Sequence, residues 1–113
     1  MYGLSPKTIK DIKSVFKKLP EIDKVILYGS RAKGNYKEGS DIDITLIGSG
    51  LNLKTIYKLE DKLDELYLPY IFDISIFNQI DNVNLIKDIL LEGKTIYLKD
   101  KDELPEVKKL GKL

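Results

Sequence analysis

The stretch that decides the fold runs Val25-Ile26-Leu27-Tyr28-Gly29-Ser30 and resumes, ten residues later, as Asp41-Ile42-Asp43-Ile44-Thr45-Leu46-Ile47. The first part is a short continuous apolar run, which suits a buried strand, and it breaks into a Gly-Ser turn. The second part alternates. Period two puts Asp41 and Asp43 on one strand face and Ile42, Ile44 and Leu46 on the other. Residues 34–40, Gly-Asn-Tyr-Lys-Glu-Gly-Ser, form a loop by composition. Gly48-Ser49-Gly50 ends the second strand.

Working outward, Ser5-Pro6 starts a helix, with Ser as N-cap and Pro at the first helical position. Ile9, Ile12, Phe16 and Leu19 recur at helical spacing until Pro20. On the other side, Asn52 caps a helix with Leu53, Ile56, Leu59, Leu63 and Leu66 on one face. Residues 71–77 follow Pro69 as a β-rich run. Asp81 is the expected cap of a further helix carrying Val83, Ile86 and Leu90, closed by Gly93 as C-cap. Residues 95–98 give a last short strand. Helix, strand, strand, helix, strand, helix, strand predicts an α/β or α+β domain around one small sheet.

A length of 113 residues accommodates one modest core. The expected boundaries are a domain over 1–98 and a charged tail over 99–113, without internal repeat or linker. Hydrophobic residues make up 42% and charged residues 33%, a globular balance. The net charge of +1 implies neither a nucleic-acid partner nor a membrane surface. No apolar stretch approaches the roughly 20 residues of a membrane helix. Nor does the Met1-Tyr2-Gly3-Leu4-Ser5-Pro6 start carry a signal-peptide run, so the expected location is cytoplasmic. With no Cys and no His, thiol and imidazole chemistry are excluded. Catalysis would run on carboxylates, hydroxyls, lysines, the single arginine or a metal, and oxygen ligands favour magnesium or manganese.

Three elements carry chemistry. Gly29-Ser30 before a turn of helix lets a phosphate approach the backbone, with free N–H groups pointing at it. Asp41 and Asp43 repel one another on one strand face, a cost that a divalent cation would offset. Asp73 lies in Ile71-Phe72-Asp73-Ile74-Ser75-Ile76-Phe77, on the face opposite Phe72, Ile74 and Ile76. If the two strands are neighbours, three carboxylates converge. Each piece alone also fits ordinary structure: a common turn, a solvated strand start, an edge-strand Asp facing water. Arg31 directly follows Gly29-Ser30 in a chain whose other cations are lysine. Its planar fork could hold a triphosphate oxygen, or pair with a site carboxylate and stiffen the loop.

Taken jointly, Leu27-Tyr28-Gly29-Ser30-Arg31-Ala32-Lys33-Gly34, Gly39-Ser40-Asp41-Ile42-Asp43-Ile44 and a strand Asp about thirty residues on resemble the nucleotidyltransferase fold shared by DNA polymerase beta. More closely they resemble the minimal nucleotidyltransferases, as does the closing Leu91-Glu92-Gly93-Lys94-Thr95-Ile96-Tyr97. The resemblance implies a mixed sheet with helices packed on one face and the triphosphate site on the other. It implies ATP as substrate and magnesium, with two ions bridged by Asp41 and Asp43 and one site completed by Asp73. Gly29, Ser30 and Arg31 would bind nucleotide. It further implies an antitoxin that places AMP on a ribonuclease toxin of the HEPN class within a hetero-oligomer. The alternatives left open are transfer to a small molecule, for which no acceptor-binding domain remains, and a non-catalytic antitoxin that acts by contact.

Overall fold

Ser5 and Pro6 open the first helix as their chemistry predicts. α1 spans Pro6–Lys17, and the Ser5 hydroxyl accepts from the Thr8 N–H at 3.1 Å. The coordinates are a computed structural model in which residues 1–100 are described. Of the charged tail expected over 99–113, all but Lys99 and Asp100 lie outside the described residues. Lys99 Nζ donates to the Pro20 carbonyl at 2.8 Å.

After α1 the order is β1 (Ile22–Tyr28), α2 (Ser30–Lys33), β2 (Ile42–Gly48), α3 (Leu53–Asp64), β3 (Phe72–Ile76), a 3-10 turn (Phe77–Gln79), α4 (Val83–Glu92) and β4 (Lys94–Leu98). The four strands form one sheet in the order β3-β2-β1-β4. β1 is antiparallel to both its neighbours, while β2 and β3 run parallel. Parallel strands need a crossover, which α3 supplies. The expected mixed sheet is present.

Alternation sorts β1 and β2 into two faces. Val25, Leu27, Ile42, Ile44 and Leu46 are buried against Ile12, Val15 and Phe16 of α1 and Leu59 and Leu63 of α3. The Tyr97 ring joins them, 5.6 Å from that of Phe16. Ile26 and Tyr28 face the other way and pack on Ile89 of α4, with Leu85, Ile47, Phe77 and Ile80 around them. So α1 and α3 cover one face, and α4 shares the opposite face with the carboxylates.

Two helices turn otherwise than their periodicity suggests. In α3, Leu59 and Leu63 are buried as expected, but Leu53 is exposed and Thr55 is buried. Thr55 belongs to a capping box: its hydroxyl accepts from Asn52 N–H while the Asn52 side chain accepts from Thr55 N–H. In α4 the cap is Asn82, not Asp81; its side chain accepts from Leu85 N–H at 3.1 Å. Leu85 and Ile89 meet the sheet, and Val83 and Leu90 point outward. Its apolar residues, Leu85, Ile89, Ile86, Leu90 and Val83, span a wide arc opposite Asn84, Lys87, Asp88 and Glu92, so a period of 3.6 does not single out which edge of that arc meets the sheet. Gly93 does close α4, but with φ −66 rather than in the left-handed region. Glycine is needed there for space: a Cβ would collide with the Ile89 carbonyl and lie 2.6 Å from Ile26.

Candidate active site

Tyr28, the last residue of β1, pairs with Asp43 of β2, and Asp43 pairs with Asp73 of β3. The sheet register thus sets two carboxylates side by side on neighbouring strands. Asp41 lies just before β2, on the same side as Asp43 by alternation, and is exposed. Asp73 is also exposed, while Asp43 is half-buried. Burial pushes the Asp43 carboxyl above its ordinary pKa, and the charges of Asp73 and then Asp41 add to the rise. Asp43 therefore feels its two neighbours as negative charge.

Where β1 ends, Gly29 adopts φ 74 and ψ −154, a region essentially reserved for glycine. Space is tight as well: a Cβ here would collide with Asp43 Oδ2 and push that carboxylate aside. The backbone turn and the carboxylate are in direct contact. Ser30 then starts α2, a single turn closed by the Gly34 N–H donating to the Ser30 carbonyl at 3.0 Å. The first N–H groups of a helix have no partner within it and are open to an anion. Lys33 ties this turn to α4 through an ion pair with Asp88 at 2.8 Å.

Arg31 turns inward rather than toward the carboxylates. It is 2% exposed, and among the described residues it reaches no carboxylate. Nε and Nη2 both donate to the Ser40 carbonyl, at 3.1 and 2.8 Å, and Nη1 donates to the Tyr2 carbonyl at 2.9 Å. The Tyr36 and Tyr70 rings lie 5.4 and 4.8 Å from its guanidinium carbon. Its fork grips main-chain oxygens inside the protein, an internal clamp in place of the expected pairing with a site carboxylate.

Two residues beside the carboxylates escaped the sequence reading. Tyr28 is buried on the Asp43 face, and Ser75 pairs with Thr45 one step along the same face. Ser75 Oγ is buried without a well-formed hydrogen bond, and the Tyr28 hydroxyl lies beside it. Burial raises the Tyr28 pKa; the contact with Ser75 opposes this, and the charges of Asp73 and Asp43 add to it. Alternation along β1 puts Tyr28 with Ile26, away from Val25 and Leu27, and that was the available signal.

The donor set suits magnesium. Among the described residues no three acidic side chains already enclose a cation-sized space. Magnesium does not need such a cage: it usually takes one or two carboxylates and leaves its other positions to water and substrate phosphates. Asp41, Asp43 and Asp73, carboxylates beside the Gly29 turn, match that habit.

A stability test follows from Asp43. Its folded-state pKa is raised, so the folded chain binds this proton more tightly than the unfolded chain, and the ionised form opposes folding above the folded-state pKa. Asp43→Asn in magnesium-free buffer is expected to raise Tm by about 2–3 °C at neutral pH. The difference should shrink as pH falls through the folded-state pKa and vanish below the ordinary carboxylate range. Thermal denaturation at several pH values checks this. A mutant less stable than wild type at pH 7 would make Asp43 a structural residue.

Comparison with known proteins agrees with this geometry. Residues 10–102 match the family described as polymerase beta, nucleotidyltransferase. A Methanocaldococcus jannaschii protein, named as a candidate protein adenylyltransferase, is 36% identical over 80 residues, covering 67% of this chain and 79% of the relative. Among solved structures, a toxin-antitoxin with AMP-PNP superposes with a TM-score of 0.66 at 22% identity, over 92% of this chain and 85% of that one. A complex of tri-AMPylated Shewanella oneidensis HEPN toxin with MNT antitoxin gives 0.60 at 20% identity, over 94% and 83%. At those identities the solved structures speak for the fold, and the sequence match speaks for descent. With its Gly-Ser turn, its paired strand aspartates and a match over most of its length, the chain belongs to the polymerase beta nucleotidyltransferase family.

Proposed function

We propose that the protein transfers AMP from ATP to a hydroxyl of a partner protein, and that it is the antitoxin of a HEPN toxin. The observation that carries the reading is the register row of Asp43 and Asp73 against the Gly29 turn. The 36% identity to the archaeal candidate adenylyltransferase supports a protein acceptor. The superposition on toxin–antitoxin complexes supports the kind of partner.

In this reading the main-chain N–H groups after Gly29 and the Ser30 hydroxyl hold the β- and γ-phosphates. Asp41 and Asp43 would hold magnesium, with Asp73 completing one position. Magnesium, when bound, lowers the pKa of the attacking hydroxyl and steadies the charge on pyrophosphate. The acceptor oxygen attacks the α-phosphorus in line, and the bond from that phosphorus to the oxygen bridging the β-phosphate breaks. The acceptor's proton would pass to Asp73, whose exposure leaves it open to a protein hydroxyl. Pyrophosphate leaves, and the acceptor carries AMP.

The test is incubation of the purified protein with ATP, magnesium and a HEPN partner, followed by intact-mass measurement of that partner. A mass gain of one or more AMP groups, with loss of toxin activity, is expected. Tight binding that silences the toxin without ATP and without a mass change would overturn transfer in favour of contact alone.

A further inference from the structure

Burying a guanidinium is costly, and the cost is borne where a fixed geometry is required. Arg31 is such a case, and what it touches is informative. Its own position directly follows Ser30. Two of its nitrogens hold the carbonyl of Ser40, the residue before Asp41. The Tyr70 ring against its face lies three residues before Asp73. Its third nitrogen holds Tyr2, a non-glycine residue kept at φ 58. Backbone in that region persists only where its surroundings impose it. Each chain segment that delivers a site residue therefore meets at one planar group.

We propose that Arg31 is a positioning residue that sets the spacing between the Gly29-Ser30 turn and the carboxylates Asp41 and Asp73, without touching nucleotide. It acts through the Ser40 carbonyl and the Tyr70 ring. Where these two segments converge, the Ile42 N–H donates to the Ile71 carbonyl at 2.9 Å, the first bond joining the two aspartate strands. Lysine would keep the charge but could not present two parallel donors to Ser40 from a rigid plane. The kinetic half of the test rests on the proposed transferase function; the structural half does not.

The experiment compares wild type with Arg31→Lys in two ways. Amide exchange by NMR in metal-free protein should show the Ile42 N–H exchanging about tenfold faster, equivalent to 1.4 kcal/mol. In the transfer assay, kcat should fall about tenfold and the magnesium concentration for half-maximal rate should rise several-fold, with KM for ATP unchanged. Unchanged Ile42 exchange with unchanged kcat overturns the proposal. So does a raised KM for ATP at unchanged kcat, which is the signature of a nucleotide ligand. If Arg31→Lys does not fold, Tyr70→Leu decides: the same changes at about threefold support the clamp, and wild-type values sink it. If wild type itself transfers nothing, the function reading falls while the exchange comparison still judges Arg31.

Discussion

Asp43→Asn is expected to lower AMP transfer by about a thousandfold or more, near 4 kcal/mol of transition-state stabilisation. Asparagine keeps the shape and the strand, so the protein should fold at least as well as wild type. What it loses is the charge that would hold a cation against the triphosphate. Asp41→Asn should fall in the same direction. Its carboxylate is exposed, so its loss perturbs the fold even less. Single-turnover transfer with folding checked by circular dichroism separates the possibilities. Wild-type rates in both mutants would end the metal-based mechanism. An unfolded Asp43→Asn would show that the paired aspartates hold the sheet together.

Gly29→Ala is the second large effect. The added methyl meets two obstacles at once. Alanine at φ 74 and ψ −154 is strained by about 2–3 kcal/mol. In addition, its Cβ collides with Asp43 Oδ2, so either the turn or the carboxylate must move. Displacement of a reacting group by about 1 Å can cost on the order of a hundredfold in rate. The expected result is a folded, less stable protein with at least that loss in transfer. Denaturant unfolding gives the stability change, and titration with an ATP analogue gives binding. A mutant with wild-type stability and turnover would mean that the turn has room for a side chain.

Much of this molecule was legible beforehand because short-range rules governed it. The Ser5 and Asn52 caps, the alternation in β2 and the apolar run of β1 are local features, and each stands where its residue types put it. The parallel pairing of Asp43 with Asp73 was conditional, since no local rule says which strands are neighbours. The partners of Arg31 were not legible for a related reason. Its sequence neighbours are the Gly-Ser turn, but its partners are Tyr2, Ser40 and Tyr70, which only the folded chain brings together. The buried side of α4 was not legible because its apolar arc is wide enough to turn more than one edge toward a sheet. There the choice was made by the tertiary contact of Ile89 with Ile26 and Tyr28.

The antiparallel pairing of β1 with β4, Lys24 against Leu98 through Leu27 against Lys94, has a consequence for synthesis. Every residue of the Gly29, Asp41, Asp43 and Asp73 constellation leaves the ribosome before Lys94. The strand that covers the second edge of Val25-Ile26-Leu27-Tyr28 comes last. Until it arrives, the most apolar strand of the sheet shows bare donors and acceptors, a template for pairing with another nascent chain. The chemistry is thus assembled first and its protection last. A chain stalled before Lys94 is expected to aggregate through β1, even though it already holds every residue of the proposed site.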